Sequence, residues 1–180
     1  MRVPAITVII RLMGDLFRIT TQFLHVLSGV LWIGGGFYTL LVQLPGLMAA
    51  PPAARGPVSA QLAPRQIFYI LRVAELTLVT GVLNLFASGR AEQFKDPLGQ
   101  RWTIVLGLGI LMAFGVYILV RRTVVPWTQR MLTLGPKAAG GDAAAAAESG
   151  QLFIRIRRIG RVQVTIGALI ILAMVTARLS

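Results

Sequence analysis

Four apolar stretches, Ile19 to Leu44, Ile67 to Ser88, Trp102 to Val120 and Val162 to Ala177, run through this chain of 180 residues. A helix needs roughly 20 apolar residues to cross the hydrocarbon core of a bilayer, and a helix satisfies its own backbone polar groups there. The pattern predicts an all-α integral membrane protein, a four-transmembrane-helix antiparallel bundle. Its spans cover residues 19–44, 67–88, 102–120 and 160–178, the last beginning where basic stems can snorkel out of the hydrocarbon. Composition agrees, since only 13% of residues are charged, against about 25% in soluble domains.

The formal charge of +12, from 18 Lys and Arg against 6 Asp and Glu, would by itself suggest nucleic acid. Position argues for the lipid bilayer instead and against nucleic acid. Arg18, Arg65, Arg90, Lys95, Arg101, Arg121, Arg122, Arg155, Arg157, Arg158, Arg161 and Arg178 flank the apolar stretches, where anionic headgroups attract them. More Lys and Arg fall in 45–66 and 121–161 than on the opposite side. Those two loops are therefore expected in the cytoplasm and the termini outside, in a bacterial cytoplasmic membrane. With no cysteine, this chain has no disulfide, thiolate metal site or thiol catalysis. Its single histidine, His25, is the one imidazole open to haem, copper or proton transfer.

Residues 1–18 intersperse Arg11, Asp15 and Arg18 with aliphatic residues and are expected to form an amphipathic interfacial helix ahead of the single membrane domain 19–180. Pro45, Pro51, Pro52, Pro57 and Pro64 mark a connector without regular helix. A polar link bends at Asp96-Pro97-Leu98-Gly99 and joins spans two and three. Pro126-Trp127 reads as an interfacial turn. Residues 135–150, with alanines 143 to 147, read as a flexible loop, before the basic helical run 151–161.

On a helical projection of about 100° per residue, Thr21, His25, Gly29, Trp32, Gly36, Thr39 and Gln43 share one stripe of span one. Such a stripe faces protein rather than lipid. It serves close helix packing, or it makes His25 a ligand to haem iron or copper, with Gly29 and Gly36 leaving room for a macrocycle beside Trp32. In span two, Arg72 and Glu75 stand three apart and can pair. They form either an interfacial salt bridge or, with Asn84, a polar relay. Thr77, Thr80, Gly81, Asn84 and Ser88 make a second polar and small face, the expected mate of the His25 stripe. Gly107, Gly109, Gly115 and Tyr117 suggest close packing in span three, and Met174 in span four is a core residue or an axial thioether. No Ser-His-Asp set, paired catalytic acids or phosphate loop is present.

The stretch Phe23-Leu24-His25-Val26-Leu27-Ser28-Gly29-Val30-Leu31-Trp32-Ile33-Gly34-Gly35-Gly36 resembles the first-helix signature of the copper resistance protein D superfamily, LHxxxxxxWxGG. The bacterial membrane protoporphyrinogen oxidases look similar, with a first-helix His followed seven residues later by Trp. The resemblance is strongest over about 20 residues and extends to the rest in hydropathy and loop order. It implies a haem- or metal-associated role for His25, with haem b or copper as cofactor. The expectation is haem or copper handling at a membrane, alone as a homo-oligomer or with other membrane subunits. Two alternatives stay open: a non-catalytic accessory subunit of a respiratory or photosynthetic complex, and an enzyme oxidising a porphyrinogen.

Overall fold

The computed structural model describes residues 5–96 and 99–179. Helix α1 covers Ala5–Tyr38 and passes through a π-turn at Thr39–Gln43 into the short α2, Leu44–Ala49. Helix α3 covers Pro52–Ala87, and a 3-10 turn at Arg90–Lys95 leads to α4, Arg101–Leu119. A second π-turn, Val120–Val124, joins α4 to α5, Val125–Ala139; α6, Ala143–Leu179, follows. The four rods are long and apolar enough to cross a membrane, and the protein is a multi-pass helical membrane bundle.

Four expectations are corrected by this architecture. The N-terminal segment is not a separate interfacial helix, because α1 runs unbroken from Ala5; Gly14 weakens a helix by only about 1 kcal/mol and no proline intervenes. The proline-rich connector is helical from Pro52, with Pro57 and Pro64 inside α3. Both prolines are exposed and precede Arg65, where water can replace the lost backbone partners. Pro126 does not end the third rod. Each π-turn ends two residues before a proline, Pro45 in one rod and Pro126 in the other; the wider winding makes room for a ring that would otherwise meet the carbonyl four residues back. Pro97 and Leu98 of the expected bend lie outside the described residues.

The fourth correction concerns residues 135–150, which are helical on both sides of a turn in which Gly141 takes a positive φ of 92°. The Asp142 carboxylate accepts from the amides of Ala144 and Ala145, each at 3.0 Å, and so caps α6. Leu134, Ala145 and Leu152 form a small core of their own beneath Trp127 and Met131. Arg130 closes it with hydrogen bonds of 2.8 and 3.0 Å to Glu148, which hold the Glu148 carboxyl below its usual range.

Basic residues bracket the apolar part of each of the later rods. Arg101 at the start of α4 and Arg121 in the π-turn that follows it stand about 30 Å apart at 1.5 Å per residue, matching the hydrocarbon thickness. Between these belts the main core gathers Trp32, Ala74, Ala113, Val116, Val120 and Ile170 from α1, α3, α4 with its π-turn, and α6. Trp32 is 4% exposed. The α5/α6 hairpin extends beyond the belt formed by Arg121, Arg122 and Arg161. Limited proteolysis should therefore cut the native hairpin only at Gly140 to Asp142, whereas Leu134→Ala, losing about 2 kcal/mol or more of local packing, should open residues 135–150 to digestion. Rapid cleavage throughout 135–150 in the native protein would restore the unstructured loop.

Candidate functional site

The polar stripe of α1 meets the small and polar face of α3 along an antiparallel seam. At one end the Asn84 amide donates to Gln22 Oε1 at 2.5 Å. One turn further along α1, His25 Nδ1 lies 2.9 Å from the Thr77 carbonyl oxygen. A carbonyl only accepts, so Nδ1 carries the proton, and in the neutral imidazole Nε2 keeps the bare lone pair. The ring lies on the backbone of Gly81: a Cβ there would stand 2.8 Å from His25 Cε1 and 3.0 Å from Nδ1. Glycine is required at this place because the ring occupies the space of a side chain.

Further along, Gly29 faces the Thr77 methyl and Gly35 faces Ile70 and Tyr69. At the far end Gln43 donates to Gln66 at 3.0 Å, and Gln66 donates to Thr39. From Gln22 to Gln43 the seam is about 32 Å long at 1.5 Å per residue, comparable with the thickness of the hydrocarbon. The hydroxyls of Thr21, Ser28, Thr77 and Thr80 bond to carbonyls of their own helices. They fill the seam without needing a partner across it.

Trp32 and Gly36 turn to the other side of α1. Gly36 faces Gln163 and Val164, and Gly167 faces Ile33. Between these residues and Val116 lies a cavity of about 20 Å³, room for one water. The space beside Gly29 and Gly36 is thus taken up by side chains of α3 and α6. His25 is part-buried, and its Nε2 lies over the same α3 backbone, 3.7 Å from the place of a Gly81 Cβ. Met174 packs on Gly109 of α4, while His25 packs on α3.

Glu75 belongs to a different constellation. It stands equidistant along α3 from Gln66 and Asn84. Its Oε2 pairs with Arg72 at 2.9 Å, and its Oε1 accepts from Tyr117 Oη at 2.9 Å and faces Arg121 at 3.7 Å. Asn84 bonds Gln22 instead, so the structure does not join Arg72, Glu75 and Asn84 in one relay.

Sequence reasoning missed Gln22, Gln66 and Arg121 as site members, and took Tyr117 for packing alone. Helical spacing carried a signal: Gln66 and Asn84 are separated by a whole number of turns, about five, and therefore share a face. Tyr117 and Arg121 stand one turn apart and reach the same carboxylate. No family model matches the chain, and neither curated proteins nor solved structures give a match.

The three glycines Gly34, Gly109 and Gly81 make a graded test. A Cβ at Gly34 meets nothing within 4 Å, at Gly109 it meets the flexible Met174 Cε at 3.0 Å, and at Gly81 it strikes the imidazole. Gly34→Ala should leave thermal stability in detergent unchanged or slightly raised, through helix propensity worth up to about 1 kcal/mol. Gly81→Ala should lower it by about 1–3 kcal/mol, with Gly109→Ala between. Equal effects at 34 and 81 would contradict the seam.

Proposed function

We propose that this protein handles copper or a haem-borne metal at a bacterial cytoplasmic membrane, with His25 as the metal-facing residue. The observation that carries the reading is the hydrogen bond from His25 Nδ1 to the Thr77 carbonyl. Metal-ligating histidines almost always donate their second ring nitrogen in this way, which fixes the tautomer and aims the other nitrogen. Thr77 orients the ring, Gly81 supports its face, and the Gln22–Asn84 rung closes the seam beside it. A bound metal group would supply the redox or carrier chemistry. This chain would supply one neutral nitrogen, and any second protein ligand of imidazole type would come from another copy or subunit, because His25 is the single histidine.

The filled space at Gly29 and Gly36 favours a second reading, a non-catalytic subunit packed in a larger respiratory or photosynthetic assembly. On that reading the His25 bond is interhelical glue. The basic belt of Arg65, Arg121, Arg122 and Arg161, with Arg130, Arg155, Arg157 and Arg158 beyond it, supports a cytoplasmic side for the α5/α6 hairpin under either reading.

An optical spectrum and metal analysis of gently extracted protein separate the two. The first reading expects a Soret band or stoichiometric copper, nearly all of it lost in His25→Ala while size-exclusion behaviour and helix content persist. Full metal or Soret intensity in His25→Ala would overturn it. A colourless, metal-free protein travelling with other membrane subunits would support the second.

A further inference from the structure

The cluster around Glu75 holds two guanidinium groups against one carboxylate. Arg72 pairs with Glu75 Oε2 at 2.9 Å and lies 5.6 Å from the Phe68 ring centroid. Arg121 approaches Glu75 Oε1 at 3.7 Å, and Tyr117 donates to the same oxygen. The phenol adds no charge, so the cluster carries one uncompensated positive charge.

That excess sits on the outer surface of the bundle. The side chains of Arg72 and Arg121 are 61% and 53% exposed, whereas that of Glu75 is 28% exposed. Arg72 is about 10 Å along α3 from Arg65 at 1.5 Å per residue, below the basic belt. An arginine at this depth ordinarily snorkels toward the headgroups. Here Glu75 lies one turn deeper and draws the Arg72 guanidinium inward, while Arg121 leads from the belt down to the same carboxylate. The result is a cationic step between α3 and α4, with the apolar surfaces of Phe68 and Ile118 exposed nearby.

We propose that this step binds the phosphate of an anionic phospholipid, held by Arg72 and Arg121 with its acyl chains against the neighbouring apolar surface. Charge complementarity selects the occupant. A phosphate diester supplies the missing negative charge, accepts from both guanidiniums, and reaches the site from the bilayer. Basic sites between membrane helices on the side of the basic belt take anionic lipid headgroups in this manner. Glu75 then acts as an internal competitor that holds the arginines in place and moderates their affinity. The site is independent of His25, which lies on the α1/α3 seam.

Native mass spectrometry of the protein released from mixed micelles containing phosphatidylglycerol or phosphatidylcholine tests this. The wild type is expected to retain phosphatidylglycerol at least fivefold over phosphatidylcholine. Arg72→Gln with Arg121→Gln should abolish the preference, and Arg155→Gln with Arg158→Gln, on the hairpin, should leave it. Glu75→Gln should raise retention several-fold, a direction that a purely structural role for Glu75 does not give. If the double variant does not fold, Arg121→Gln alone should halve the preference or more. Unchanged preference in the folded Arg72/Arg121 variant, or in Arg121→Gln where only that variant folds, would overturn the proposal. So would equal retention of the two lipids by the wild type, or a fall in retention in Glu75→Gln.

Discussion

Hydrocarbon offers no hydrogen-bond partner, and the arrangement of this protein follows from where its few polar groups find one. The strongest such constraint is His25, whose imidazole needs a partner on another helix. The Thr77 carbonyl supplies it at 2.9 Å, and the ring reaches that oxygen only because Gly81 has no side chain. This contact sets the register of α1 against α3. The amide rungs at Gln22–Asn84 and Gln43–Gln66 then fall at the two ends of the seam. A shift of either helix by one residue would turn these groups toward lipid, where each unsatisfied polar group costs several kcal/mol.

Two interfaces with different chemistry result. The α1/α3 seam is polar and small, and its hydroxyls bond within their own helices. On the other side α1 meets α4 and α6 through an apolar core centred on Trp32, Val116 and Ile170. Association of helices in lipid depends on such close packing and on interhelical hydrogen bonds rather than on exclusion of water. The many exposed apolar side chains, Phe23, Val30, Phe86 and Leu111 among them, are then the expected lipid-facing surface. The Glu75 cluster breaks that rule on the outside of the bundle, as His25 does inside it.

Much of this was legible in the sequence because period and composition suffice for membrane spans. The apolar lengths locate four rods, and His25 and Gly29 of the α1 stripe meet the α3 face containing Thr77 and Gly81 as their spacing implies, whereas Gly36 turns to α6. What failed was punctuation. Pro57, Pro64 and Pro126 read as breaks, yet exposed positions and widened π-turns carry the helices through them. The alanine-rich segment read as a tether because its low complexity conceals one buried contact, Ala145 against Leu134. The partners of Glu75 were hidden because Tyr117 and Arg121 are remote in sequence, and only the packing of α4 on α3 brings them together.

The register of the seam is the claim on which the orientation of His25 rests, and the absence of native cysteine makes it directly measurable. Paired cysteines introduced as Gln22→Cys with Asn84→Cys should cross-link on mild oxidation in native membranes. Gln22→Cys with Gln66→Cys should not, since Asn84 and Gln66 are separated by about 27 Å along α3. Efficient cross-linking of the second pair, or its failure in the first, would mean that α1 and α3 meet in another register and that His25 does not face Thr77.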